Sequence, residues 1–216
     1  MTCRLQNGKI HAKGIRMSVV RAVVNKMKFN PSFTYPFNLR PDDFAIAMQD
    51  VYDFFFDVNS NFESKGLPRL DDTLRQANMS GMISDMLTAS LASHSRSLGQ
   101  NNYHNGHPDL IVRGYYPHDS VKAGTEGVEI KSTRKKGGAV DTHGARDQWM
   151  CIFVYKVDSE TQPLRNRRPT VFSEVYLSHV TVADFRKNDR GELGTRTATV
   201  GREGIKRVRS NWVYLL

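Results

Sequence analysis

His107-Pro108-Asp109-Leu110-Ile111-Val112 and, farther along, Gly127-Val128-Glu129-Ile130-Lys131-Ser132-Thr133 are the stretches on which the fold is read. Leu110-Ile111-Val112 is a short apolar run, the pattern of a buried strand core. Across Gly127–Thr133 apolar and charged residues alternate, and successive side chains of a strand point to opposite faces. Val128 and Ile130 are therefore expected to face a core, while Glu129 and Lys131 share the other face. The loop 114–124, with Pro117, His118 and Asp119, returns the chain between the two runs. If the runs pair as a hairpin, Asp109 comes near Glu129, and two carboxylates and an ammonium converge at one edge of a buried scaffold.

Working outward towards the N-terminus, Pro41-Asp42-Asp43 opens a helix. Its Phe44, Met48, Val51 and Phe55 follow the i, i+4, i+7, i+11 spacing of one helical face. Residues 59–68 read as a loop. A second helical stretch covers about 70–97, with Leu70, Leu74, Ile83, Leu87 and Leu91 along its buried side and Gly81 as a place for a kink. Beyond Gly99 the pattern is β. Residues 136–145 form a glycine-containing loop, 149–157 a strongly apolar central strand, and Val171–Val180 a further strand. A short helix is expected at 182–187, with strands at 195–200 and at Trp212–Leu215. Helices followed by strands predict an α/β domain: a central mixed β-sheet flanked by helices, with a helical N-terminal part. The 216 residues suit a single domain, residues 1–68 forming the basic, helical N-terminal part and 69–216 the core.

Composition narrows the function classes. Hydrophobic residues make up 39% and charged residues 25%, ordinary for a globular, soluble chain. No apolar run is long enough to cross a bilayer and the N-terminus lacks a continuous hydrophobic signal core, so a cytoplasmic protein with no membrane partner is expected. Cys3 and Cys151 are too few for a disulfide framework or a thiolate zinc site. Cys151, within an apolar run, reads as a small buried hydrophobe. His104 and His107 have a spacing that a metal can use, but no third ligand follows at a recognisable distance. A G-x-x-x-x-G-K-[ST] loop is absent, so no nucleotide cofactor is expected.

The formal charge is +9, and its distribution is uneven. Residues 1–41 hold eight Lys and Arg and no acid. Other basic groups are Arg134-Lys135-Lys136, Arg165-Asn166-Arg167-Arg168, and the set Arg202, Lys206, Arg207 and Arg209. Dispersed basic clusters suit a polyanion that touches several segments of one surface, such as a nucleic-acid backbone. A solvated basic surface accounts for charge alone equally well.

The chemistry is more specific. Oxygen ligands from Asp109 and Glu129, with the backbone carbonyl of Ile130, suit Mg²⁺, a hard cation that keeps several waters. Lys131 would orient an attacking water or accept its proton, and stabilise charge on the phosphorus. Pro108-Asp109, a spacer, then Glu129-Ile130-Lys131 resembles the PD-(D/E)xK nuclease superfamily, which includes most type II restriction endonucleases. The same short pattern occurs at Pro41-Asp42 with Glu63-Ser64-Lys65, where Asp42 opens a helix and no strand core follows. In the second copy alone do both halves fall on adjacent expected strands.

The resemblance implies a restriction-endonuclease-like sheet, with Asp109, Glu129 and Lys131 as catalytic residues. It also implies Mg²⁺ as cofactor (with Mn²⁺ able to substitute), products with 5′-phosphates, and a homodimer on double-stranded DNA. Family members often add an acid from the helix before the first core strand, a position that Asp85 fits. The segment after Lys131 offers DNA-binding candidates in Arg134, Lys135, Lys136, His143, Arg146 and Gln148. Lys135 and Lys136 suit phosphate, while arginine and glutamine can read base edges. Three readings follow: a sequence-specific type II restriction endonuclease, a structure-specific or repair nuclease such as a junction resolvase, and a basic nucleic-acid-binding protein without catalysis.

Overall fold

Pro41, whose missing N–H would have no partner in a first turn anyway, starts helix α1 (Pro41–Ser64). Asp43 in that turn accepts from the Arg40 backbone N–H at 2.9 Å and from its guanidinium, and Asp42 adds negative charge at the positive end of the helix. The helix runs past the expected loop at 59–68. It ends where Gly66 takes φ +69°, with Leu67 N–H on the Phe62 carbonyl and Gly66 N–H on that of Glu63 (both 2.9 Å), which satisfies two terminal carbonyls. The polar run around Asn59 reads as loop by composition. Asn59 is in fact buried, its amide bonded to Asp71 (3.0 Å) and its oxygen to the Leu70 N–H (2.8 Å).

The computed structural model describes residues 19–142, 144–187 and 197–216, apart from the side chains of Arg165 and Lys187. The expected long helix over 70–97 is two: α2 (Leu70–Thr73) and α3 (Gln76–His94). Leu74 and Arg75 are extended between them. Gly81 lies inside α3 without interrupting it, and an added Cβ there would meet nothing, so it marks no close contact.

Six strands form the main sheet in the order β1 (Leu98–Gln100), β2 (Leu110–Val112), β3 (Gly127–Thr133), β5 (Gln148–Lys156), β6 (Val171–Val180) and β9 (Trp212–Leu215). Only β3 and β5 pair in parallel; the other neighbours are antiparallel. A three-stranded antiparallel sheet takes the order β4 (Asp141–Thr142), β8 (Ala198–Val200), β7 (Phe185–Lys187). The expected helix at 182–187 is a single 3-10 turn, Val182–Asp184, running into β7. Of the strand expected at 195–200, residues 195 and 196 lie outside the described residues. Helix α4 (Arg202–Ser210) stands where the sequence showed little beyond basic charge.

Alternation along β5 supplies two cores. Cys151, Phe153 and Tyr155 face α1 and α3, joined by Val128, Ile130, Phe44, Met48, Val51, Phe55, Ile83 and Leu87. Met150, Ile152 and Val154 face the other way, towards Val140, Val200 and Val208 beneath α4 and the small sheet. Covering both faces removes apolar area from water on each side, at about 1.5–3 kcal/mol per fully buried large side chain. The result is a mixed α/β fold whose central mixed sheet is flanked by helices. Among the described residues no helix is long and apolar enough to cross a membrane.

Candidate active site

β2 and β3 pair antiparallel with Leu110 opposite Val128. One step further puts Asp109 opposite Glu129, just past the end of the β2 ladder. Asp109 is held there from both sides. Its carbonyl accepts from the Asn101 N–H at 3.0 Å, and its Oδ2 accepts from the Ile130 N–H at 2.8 Å. The Asn101 side chain fixes the surrounding loops, donating to the Pro108 carbonyl (3.0 Å) and the Val121 carbonyl (2.8 Å) and accepting from the Val121 N–H (3.1 Å).

Glu129 is almost fully buried, at 2% exposure, so it does not decorate a solvated strand face. Lys131 Nζ meets its Oε1 at 2.6 Å, and His107 Nδ1 meets its Oε2 at 3.3 Å. Lys131 stands beside Ile152 in the parallel register, on the face of the second core. The electrostatics of the two acids diverge. Burial, then the charge of Glu129, pushes the Asp109 carboxyl up to about 6 against the pull of Lys131. Burial also opposes ionisation of Glu129, but His107 and Lys131 outweigh it and hold that carboxyl at about 2. Burial likewise works against the Lys131 cation, and Glu129 and Asp109 overcome it, so its pKa is raised. The cluster without metal is thus an ionised Glu129–Lys131 pair beside an acid reluctant to ionise.

These groups fit a hard divalent cation. The N–H and C=O of one strand residue point to the same side. Because the Ile130 N–H reaches Asp109, its carbonyl also faces that side, where β2 has ended. Among the described residues no three His, Cys, Asp or Glu side chains close on one point. A divalent ion would therefore draw on Asp109, Glu129, the Ile130 carbonyl and water, a ligand set typical of Mg²⁺. Both oxygens of Glu129 have cationic or His partners, so one of them would have to let go.

The remaining candidates are scattered. Asp85 lines a cavity of about 550 Å³ to which His104, Asn102 and Asp109 also contribute. However, α3 packs on the Val128–Ile130 face, opposite Glu129 and Lys131, and Asp85 is not among the groups acting on the Asp109 carboxyl. Gln148 is buried at 5% exposure where β5 meets Val180, so as placed it offers little surface to a base edge. Arg146 lies near enough to Lys131 for its charge to oppose the ammonium. Lys135 lines a groove beside α4, Arg134 faces the Val157 carbonyl and Asp158, and Lys136 is exposed. His143 lies outside the described residues. In the basic run 165–168, Arg167 is bound to Asp72 at 2.6 Å and to the Ser159 and Thr161 carbonyls, so part of that cluster is structural.

His107, noted in the sequence only for its spacing from His104, joins the cluster through Glu129. Its neighbour Pro108-Asp109 was the available signal, but its partner Glu129 lies 22 residues away. Compared with family models, with curated proteins and with solved structures, the chain matches none.

Proposed function

We propose that the chain is a Mg²⁺-dependent DNA endonuclease of the PD-(D/E)xK kind that cuts duplex DNA at a short sequence and leaves 5′-phosphates. The observation that carries this reading is the convergence of Asp109, Glu129 and Lys131 on the edge of two adjacent strands, with the Ile130 carbonyl turned to the same side. Asp109, Glu129 and that carbonyl would hold the cation. A bound Mg²⁺, or Mn²⁺ in its place, supplies a polarised phosphoryl oxygen and a water of lowered pKa.

The chain's own groups divide the remaining work. Lys131 is kept protonated by the two carboxylates, which suits donation to a non-bridging phosphate oxygen as negative charge builds on phosphorus. His107 fixes one oxygen of Glu129 and with it the direction of that carboxylate. The half-buried setting limits bulk water, which strengthens each of these interactions.

The test is digestion of an unmethylated supercoiled plasmid with Mg²⁺, beside an EDTA control and the variants Glu129→Ala and Lys131→Ala. Wild type should give discrete fragments with 5′-phosphate ends. Lys131→Ala should cut on the order of 10²–10³-fold more slowly, and Glu129→Ala at least as slowly, with duplex affinity in EDTA preserved in both. Cutting by both variants at the wild-type rate would remove these residues from the site. Salt-dependent binding by wild type with no cleavage under any divalent metal would instead favour a non-catalytic nucleic-acid-binding protein.

A further inference from the structure

Between the small sheet and α4 runs a groove of about 670 Å³, and its polar lining is strongly biased. Lys135 enters it from the loop after β3, Arg186 from β7, and Arg202, Lys206 and Arg209 from α4. All five are exposed, and among the described residues no carboxylate lines the groove. Among the described residues, the acids near it already have partners. Asp184 is bound by the Thr181 N–H (2.8 Å) and by Arg207 (3.2 Å), and Asp141 accepts from Thr199. Glu174 takes the Gly137 N–H (2.7 Å) and the Tyr176 hydroxyl (2.8 Å). Lys206 meets Glu203 at 2.8 Å, an exposed pair that an incoming anion can separate at little cost. Arg209 is steadied by the Gly137 carbonyl at 3.3 Å. Five like charges along one concavity repel each other unless an anion lies among them.

The placement points to which anion. Val200 and Ile205, in the groove wall, belong to the same core as Ile152, the register neighbour of Lys131. The groove and the Glu129–Lys131 pair therefore lie over one face of the sheet, and the loop that leaves β3 just beyond Lys131 carries Lys135 into the groove. We propose that this groove is a second contact for the phosphodiester backbone of the duplex, away from the bond that is cut. The choice of DNA over another polyanion rests on the nuclease reading; the existence of an anion track does not. A planar membrane surface cannot follow the depth of a groove, and an extended acidic peptide is separated from DNA by the test.

Binding of a fluorescein-labelled duplex is measured by anisotropy in EDTA across a salt series for wild type and for the triple variant Arg186→Gln, Arg202→Gln, Lys206→Gln. A second triple, Lys28→Gln, Lys65→Gln, Arg75→Gln, removes the same charge from surface remote from this groove, and Arg202→Gln alone guards against misfolding. Each lost phosphate contact lowers the slope of log affinity against log salt by about 0.9, so the groove triple should lose about 3 in slope. It should also bind at least ~10-fold more weakly at about 0.1 M salt, with Arg202→Gln losing about one third of that slope. The second triple should keep a slope close to wild type. Equal losses in both triples, or a wild-type slope in the groove triple, would overturn the proposal. So would a groove triple that loses poly-glutamate or phosphatidylserine vesicles yet holds DNA as wild type does. A wild type that never cuts, with the groove triple still deficient in DNA binding, sinks the nuclease reading and leaves the groove standing.

Discussion

Asp109 carries an instability that its proposed role explains. Its carboxyl is pushed up to about 6 by burial and by Glu129, whereas an unfolded aspartate titrates near ~3.9. Between those values the folded chain keeps a proton that the unfolded chain has released, so stability falls as pH rises through the window and stays reduced above it. Asp109→Asn retains an acceptor for the Ile130 N–H and removes the charge. The metal-free variant should therefore be more stable than wild type at pH 7.5, by about 1–3 kcal/mol, with the difference shrinking towards zero near pH 4. Guanidinium unfolding at the two pH values measures it, and a variant less stable at pH 7.5 would refute the electrostatic account. Glu129 has the opposite sign. Held at about 2, it contributes stability that is present above ~4.3 and is lost as pH falls through its folded value. Asp109, Glu129 and Lys131 were legible because strand alternation acts over neighbours in sequence. The burial of Glu129 and its bond to His107 were not, since both depend on what the sheet brings over it.

Among the elements, the sequence was most readable where a single period dominates. The apolar faces of α1 and α3, the strand Val171–Val180 and the strand Trp212–Leu215 fall where the patterns put them. It was least readable where tertiary contacts replace local signals. Strand β1 has three residues and no alternation to detect, and α4 presents few apolar residues among its charges. In the last turns of α1, Asn59 belongs to a buried network centred on Asp71. That carboxylate accepts from Asn59 (3.0 Å), Arg69 Nε (3.0 Å) and Thr170 (2.7 Å), while Arg69 also reaches the Arg168 carbonyl at 3.2 Å. Burial by itself raises the Asp71 carboxyl, and Arg69 with the two neutral donors brings it below its ordinary value. The network ties α1 and α2 to the start of β6. Asp71→Ala would leave the Arg69 guanidinium, at 7% exposure, without its counter-ion. Loss of about 3–5 kcal/mol is expected in denaturant titrations, the usual cost of breaking a buried pair from one side. A loss below about 1 kcal/mol, the range of an exposed pair, would mean that water enters the network freely.

For the molecule as a whole, the change in composition along the chain is not a break in the packing. Residues before 69 are basic and helical, and the remainder is strand-rich. In space, α1 is one wall of the core that contains Phe153, Phe172, Val175 and Leu177, with Phe44 stacked on Phe153 and the Tyr52 hydroxyl accepting from the Phe172 N–H at 2.7 Å. The segment before α1 also closes the far edge of the sheet. The Asn30 N–H donates to the Val213 carbonyl at 2.9 Å, and the Asn30 side chain to that of Trp212 at 3.0 Å. Removing 1–68 would uncover the face of β5 and β6 that Phe44, Met48, Val51, Tyr52 and Phe55 now cover. At about 1.5–3 kcal/mol for each of these large apolar side chains, that loss is comparable to the whole net stability of about 5–15 kcal/mol typical of a domain. A fragment of residues 69–216 should therefore bind a hydrophobic dye and show no cooperative thermal transition, while the full chain melts once. A fragment that melted cooperatively would show that the strand-rich part holds itself together. The Asp109–Glu129–Lys131 cluster would then owe its position to the sheet and α3, without need of α1.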